Sequence, residues 1–151
     1  VLESFFSQVA IACAMVLITT AIHGSGTFVV LKALHWNRRH RWIATSYLRR
    51  VNLVAGAALV MFLASLLEMV LWAVVYLRLG ALADPETAGY FSAVTFVSLG
   101  YGDVTLHPPW RLLSALEGAN GVILFGWSTA VVFAAVREVV IEAGSGAGML
   151  E

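Results

Sequence analysis

Long apolar runs separated by short polar stretches set the pattern of this chain. Residues 5–34, 53–79 and 112–140 each exceed the about 20 helical residues needed to cross a ~30 Å hydrocarbon core. Each predicts a membrane-spanning helix. A fourth run, 87–97, is too short to span, but a strong helix start precedes it. Asp84 can accept from a free backbone N–H, Pro85 suits the first helical position, and Glu86 favours the positive end of the helix dipole. The helix so predicted over 85–97 is about 12 residues or ~18 Å long. It re-enters the membrane between the second and third spans, with its negative C-terminal end toward mid-membrane.

Composition supports a membrane protein: of 151 residues, 60% are hydrophobic and 12% charged, with a mean hydropathy of +0.87. The first run is longer than the roughly 7–15 residues of a secretory signal core and lacks a basic leading region, so it is read as a retained helix. The single cysteine, Cys13, excludes an intrachain disulfide framework and is expected to pack inside the first span. No nucleophile and base stand together outside the apolar helices, so no enzyme is expected.

Charge orients the spans. Of nine Lys and Arg residues, Lys32, Arg38, Arg39, Arg41, Arg49 and Arg50 crowd the first connection, and no Asp or Glu lies between Glu3 and Glu68. The positive-inside rule makes that connection, 35–50, cytoplasmic. The N-terminus is then external, the short helix enters from outside, and the last span ends in the cytoplasm. Trp36, Trp42 and Tyr47 alternate with the arginines, as in segments at the headgroup level. Anionic lipid is the expected partner there, and no nucleic-acid site is expected.

The short helix leads into Ser98-Leu99-Gly100-Tyr101-Gly102-Asp103. Irregular backbone lies at membrane depth only where protein or water covers its polar groups. Gly100 and Gly102 permit positive φ, so alternating handedness can aim successive carbonyls one way while Leu99 and Tyr101 point back into protein. The segment 90–103, YFSAVTFVSLGYGD, resembles the pore helix and selectivity filter of bacterial potassium channels of the two-helix pore family, whose signature reads TVGYGD.

The resemblance implies an all-α membrane protein with three transmembrane helices, a re-entrant pore helix and a filter loop, assembled as a cyclic homotetramer. It implies K+ as the transported ion, held at Ser98, Leu99, Gly100 and Tyr101 in a filter of Ser98, Leu99, Gly100, Tyr101 and Gly102, with no organic cofactor. Thr95 matches the pore-helix threonine, Tyr90 and Phe91 match an aromatic pair bracing the filter, and Asp103 matches the acidic residue of the outer mouth. Ser98 and Leu99 stand where the pattern has Thr and Val. These departures leave a non-selective cation channel, or a non-conducting regulatory subunit with a pore-like fold, as alternatives to a passive potassium-selective channel in the cell's inner membrane.

The expected organisation is an extra N-terminal helix (1–34), the basic connection (35–50), a pore domain (51–140) and a tail (141–151). Within the pore domain lie an outer helix (51–79), the pore helix (85–97), the filter (98–103) and an inner helix (110–140). Intramembrane carboxylates are functional candidates by default, and Glu68 and Glu117 lie ~15 and ~9 Å below the outer boundary at 1.5 Å per residue. Both are expected to approach the back of the pore helix, and Glu117, with Asn120, to brace the filter. Gly121 stands near the family's hinge glycine, or else permits close helix packing, as Gly118 would. His23 is either a pH sensor or a buried histidine satisfied by a backbone carbonyl. The first span lacks the arginine ladder of a voltage sensor.

Overall fold

The computed structural model describes residues 2–40 and 46–147. Among them are four helices and no strand: α1 (Leu2–His40), α2 (Tyr47–Arg78), α3 (Pro85–Phe96) and α4 (Arg111–Ala147). Three segments are long and apolar enough to span a membrane, Phe5–Arg39, Tyr47–Arg78 and Arg111–Ile141, and the twelve-residue α3 lies between the last two. The architecture is that of an all-α membrane protein.

The helices overrun the boundaries read from hydropathy. α1 continues into the basic connection as far as His40, α2 begins at Tyr47 instead of 51, and α4 reaches Ala147 instead of stopping at 140. Counting apolar residues stops at the first charges, whereas a helix continues wherever its backbone bonds are made, and Arg and Glu are good helix formers. Arg41 and Trp42 of the basic connection, and tail residues 148–151, lie outside the described residues.

α1 and α3 each pack on both α2 and α4. Trp72, Tyr76, Phe91, Phe96, Leu113 and Leu124 form the core around α3, joined by Ala12 and Met15 of α1. A second core of Val30, Leu34, Ala57, Met61, Val131 and Ala135 holds the other ends of α1, α2 and α4 together. Tyr76 meets Phe91 edge to face at 5.2 Å, and Phe96 meets Phe125 in the same way at 5.7 Å. Aromatic pairs favour this geometry because the positive ring edge faces a negative ring face.

α1 is polar where it is buried and apolar where it is not. Its inner face carries Gln8, Thr19, His23 and Asn37, all buried, while Phe6, Leu17 and Phe28 are 64%, 72% and 68% exposed. Lipid solvates the outer residues as well as a protein core would, so polar contacts between helices favour association here. Cys13 is exposed rather than packed, because it falls off the buried 8, 12, 15, 19, 23 stripe. Gln8 Oε1 accepts from the Leu112 N–H at 3.2 Å, satisfying one of the donors that the first turn of α4 leaves unpaired. Near the far end, Arg38 Nε and an η nitrogen donate to the two carboxylate oxygens of the buried Glu138, each at 2.5 Å. The paired forks are the arrangement that suits guanidinium to carboxylate.

Gly121 is placed by packing. A Cβ on it would overlap the Phe96 carbonyl oxygen at the end of α3 and stand 3.1 Å from the Phe96 ring. Close helix packing, the alternative to a hinge, therefore occurs at this residue. Gly118 lies one turn away, where a Cβ would come 3.4 Å from the Thr95 carbonyl oxygen. Gly126 has open space around it. Gly121→Ala is expected to lower stability by about 1–3 kcal/mol through overpacking, whereas Gly126→Ala is neutral or stabilising by up to about 1 kcal/mol. Thermal unfolding midpoints in detergent check the contrast, and equal midpoints would refute the close contact.

Candidate functional site

α3 starts as its sequence dictates. Asp84 is the N-cap in extended conformation, its Oδ1 accepts from the Thr87 N–H at 2.9 Å, and Pro85 takes the first position. These bonds hold the Asp84 carboxyl below the usual carboxylate range. The helix ends where its last carbonyls are taken by the segment after it. The Val97 N–H donates to the Ala93 carbonyl at 3.1 Å and the Ser98 N–H to the Thr95 carbonyl at 2.9 Å. The Leu99 and Gly100 N–H groups both donate to the Val94 carbonyl, at 2.9 and 3.4 Å. Residues 97–100 are thereby strapped to the C-terminal end of α3.

Along this strap and just beyond it the backbone alternates in hand. Ser98, Gly100 and Gly102 have φ of 59°, 55° and 81°, while Leu99 and Tyr101 between them do not enter the left-handed region. Glycine adopts that region freely, but a serine there is uncommon and conformationally costly, by about 1–3 kcal/mol. The alternation expected at Gly100 and Gly102 thus extends to Ser98, which the sequence did not signal. Ser98 lies close to α4: a Cβ on Gly118 would stand 3.9 Å from its hydroxyl.

Leu99 and Tyr101 were expected to point into surrounding protein. On this single chain they are 57% and 67% exposed. A cavity of about 400 Å³ adjoins Tyr101, walled also by Tyr90, Thr95, Ser98 and Asp103. Of the aromatic pair, Phe91 is buried against Tyr76, and Tyr90 donates its hydroxyl to Asp103 Oδ2 at 2.7 Å. That bond holds the Asp103 carboxyl below its usual value of 3.8. Because the folded value is depressed, the bond's contribution is present at neutral pH and lost only as pH falls through that lowered value. Asp103 is therefore anionic under ordinary conditions.

Behind the strap, Glu117 is fully buried and joins three helices. Its Oε1 accepts from Ser92 Oγ of α3 and its Oε2 from Tyr76 OH of α2, both at 2.5 Å. Ser92 Oγ also lies 2.8 Å from the Met69 carbonyl oxygen. Glu117 was expected to bond the re-entrant segment, and it does so on α3 rather than on the strap itself. Asn120 does not share the task. Its Nδ2 donates to Thr19 Oγ1 of α1 at 2.9 Å. Glu68 also departs from expectation: its Oε1 lies 2.9 Å from His23 Nδ1, because its face of α2 is turned to α1 and not to α3. His23 Nε2 lies 3.0 Å from Ser128 Oγ of α4, so side chains, not a backbone carbonyl, satisfy this histidine.

Sequence reasoning missed Tyr76, Ser92, Thr19 and Ser128. The available signal was a polar side chain in each otherwise apolar helix, since such groups in a span require partners. The pairing itself depends on helix rotation, which hydropathy does not report. Removing either hydroxyl partner of Glu117 is expected to lower stability by about 1 kcal/mol, from Tyr76→Phe or Ser92→Ala alone. Combining either with Glu117→Gln should give less than the sum of the single effects, and midpoints that add within about 0.5 kcal/mol would refute the shared carboxylate.

Searches of the curated proteins and of the solved structures each returned no match. The family model described as "Ion channel" matches residues 54–138, a stretch that runs from α2 through α3 and the strap into α4 and includes Glu68, Tyr76, Ser92, Ser98 to Asp103, Glu117 and Glu138. With more than half of its length matched, the chain belongs to the ion-channel family.

Proposed function

We propose that this ion channel conducts K+ passively and selectively through a homotetrameric pore, each chain contributing residues 98–102 to one wall of the filter. The observation that carries the reading is the alternation of left-handed backbone at Ser98, Gly100 and Gly102 on a segment strapped to α3. Alternating φ turns successive carbonyls toward one side, where they can replace the water shell of a cation. K+ would sit against Ser98, Leu99, Gly100 and Tyr101, with the anionic Asp103 concentrating cations at the mouth.

The exposure of Leu99 and of Tyr101, the latter beside a cavity of about 400 Å³, favours assembly, because a large aromatic and a leucine left open on one chain can be covered by a neighbour. A ring of carbonyls needs four copies around one axis, and a cyclic homotetramer supplies them. The clustered arginines of the first connection support a cytoplasmic placement for it, with the filter mouth external and the pore in the inner membrane of the cell. The same cations favour contact with anionic lipid. K+ crosses down its gradient with no covalent step and no organic cofactor.

Purified protein in liposomes under an imposed K+ gradient, with barium block as control, tests the reading. K+ flux should exceed Na+ flux by at least about tenfold, equivalent to about 1.4 kcal/mol of discrimination. Equal, barium-sensitive fluxes would identify a non-selective cation channel, and no flux at any voltage or pH a non-conducting subunit. Either result overturns K+ selectivity.

A further inference from the structure

We propose that the crevice between α1 and α2, at the end carrying the basic cluster, binds one anionic phospholipid. The crevice encloses about 340 Å³ and is graded along its length. Val30, Leu53 and Val60 wall most of it, while Trp36, Asn37, Arg49 and Asn52 converge at one end. Gly56 leaves room along the apolar part, for a Cβ there would meet nothing within 4 Å. A cationic and amide-bearing end joined to an apolar channel fits an amphiphile with an acidic head and an acyl chain.

Charge and position select the ligand. Arg38, Arg39, Arg49 and Arg50 gather at this end, and no acidic residue occurs between Glu3 and Glu68. The nearby carboxylate of Glu138 is engaged by Arg38. By sequence, Arg38, Arg39, Arg49, Arg50 and Arg137 outnumber Glu138 and Glu142 along these helix ends, which favours an anionic over a zwitterionic headgroup. Trp36, half exposed, stands where α1 passes from apolar to basic sequence, the level at which indole rings sit in a bilayer interface. Val29, also lining the crevice, is 55% exposed, so the apolar part opens sideways onto the surface of the spans rather than only toward the basic end. That opening suits an acyl chain entering from the bilayer. The inference rests on the reading of α1 and α2 as membrane spans and is independent of conduction.

Native mass spectrometry of the full chain, titrated with phosphatidylglycerol or phosphatidylcholine of matched chains, tests the site. Phosphatidylglycerol should be retained preferentially. Arg49→Gln should weaken it by about fivefold, the worth of roughly 1 kcal/mol for one basic residue near a headgroup. Gly56→Phe should weaken it comparably by filling the channel, with Gly56→Leu as a smaller plug should the first variant fail to fold. Arg39→Gln removes the same charge outside the crevice and should change retention by less than about twofold. Equal losses from Arg39→Gln and Arg49→Gln, with none from either Gly56 variant, would reduce the effect to diffuse surface attraction and overturn the site. Displacement by glycerol phosphate as effectively as by the whole lipid would also overturn it. K+ flux is measured on the same preparations, so retained lipid in a silent channel would sink the conduction reading and leave the lipid site standing.

Discussion

A carboxylate enclosed among helices and shut off from water must be matched by donors, and the match at Glu117 determines how the rest of the fold is set. Its two oxygens receive hydroxyls from Ser92 on α3 and Tyr76 on α2. Loss of either donor leaves a buried acceptor unmet, the expensive side of the hydrogen-bond balance. One side chain on α4 therefore fixes the short helix against both long ones. The same helix face brings Gly121 against the last carbonyl of α3, a contact that leaves no room for a side chain. With α3 fixed at its side and its end, the strap of 97–100 inherits a fixed origin for each of its N–H bonds.

α1 extends this arrangement through its packing on α2 and α4. Its contacts follow one face from end to end: Gln8 to the start of α4, Thr19 to Asn120, His23 to both Glu68 and Ser128, and Arg38 to Glu138. In water such buried polar links contribute modestly, since each exchanges solvent partners for protein ones. Between spans, the apolar outer surface gains little from leaving lipid, so polar links and close packing determine which faces meet. The extra helix is bound to the family's matched region near its start, in its middle and in its last turn.

How much of this was legible in the sequence depended on the physical rule involved. The spans followed from length and hydropathy, and the start of α3 from Asp84-Pro85-Glu86, because local chemistry settles both. Gly100 and Gly102 announced left-handed backbone, since glycine is the residue without a steric penalty there. Ser98 gave no such notice, because its conformation is imposed by the bonds that tie its neighbours to α3. Glu117 was identifiable from its depth as a neighbour of the re-entrant helix, but Glu68 was assigned to the wrong neighbour, as depth is readable from residue counting and rotation about the helix axis is not. Arg38 read as a headgroup contact until its partner a hundred positions away, Glu138, came beside it.

Function in this fold rests on a division of labour. The buried carboxylate and the glycine contact hold α3, α3 holds the strap, and the strap presents backbone of alternating hand beside an anionic Asp103. The proposed conduction of K+ draws on all of these at once, and on other copies of the chain to close the ring. The most direct measurement is anomalous scattering from Tl+, a K+ substitute, in crystals of the assembled protein. The account predicts a row of peaks on the symmetry axis beside residues 98–102. Peaks confined to Asp103, or no axial peak at full Tl+ exchange, would contradict it.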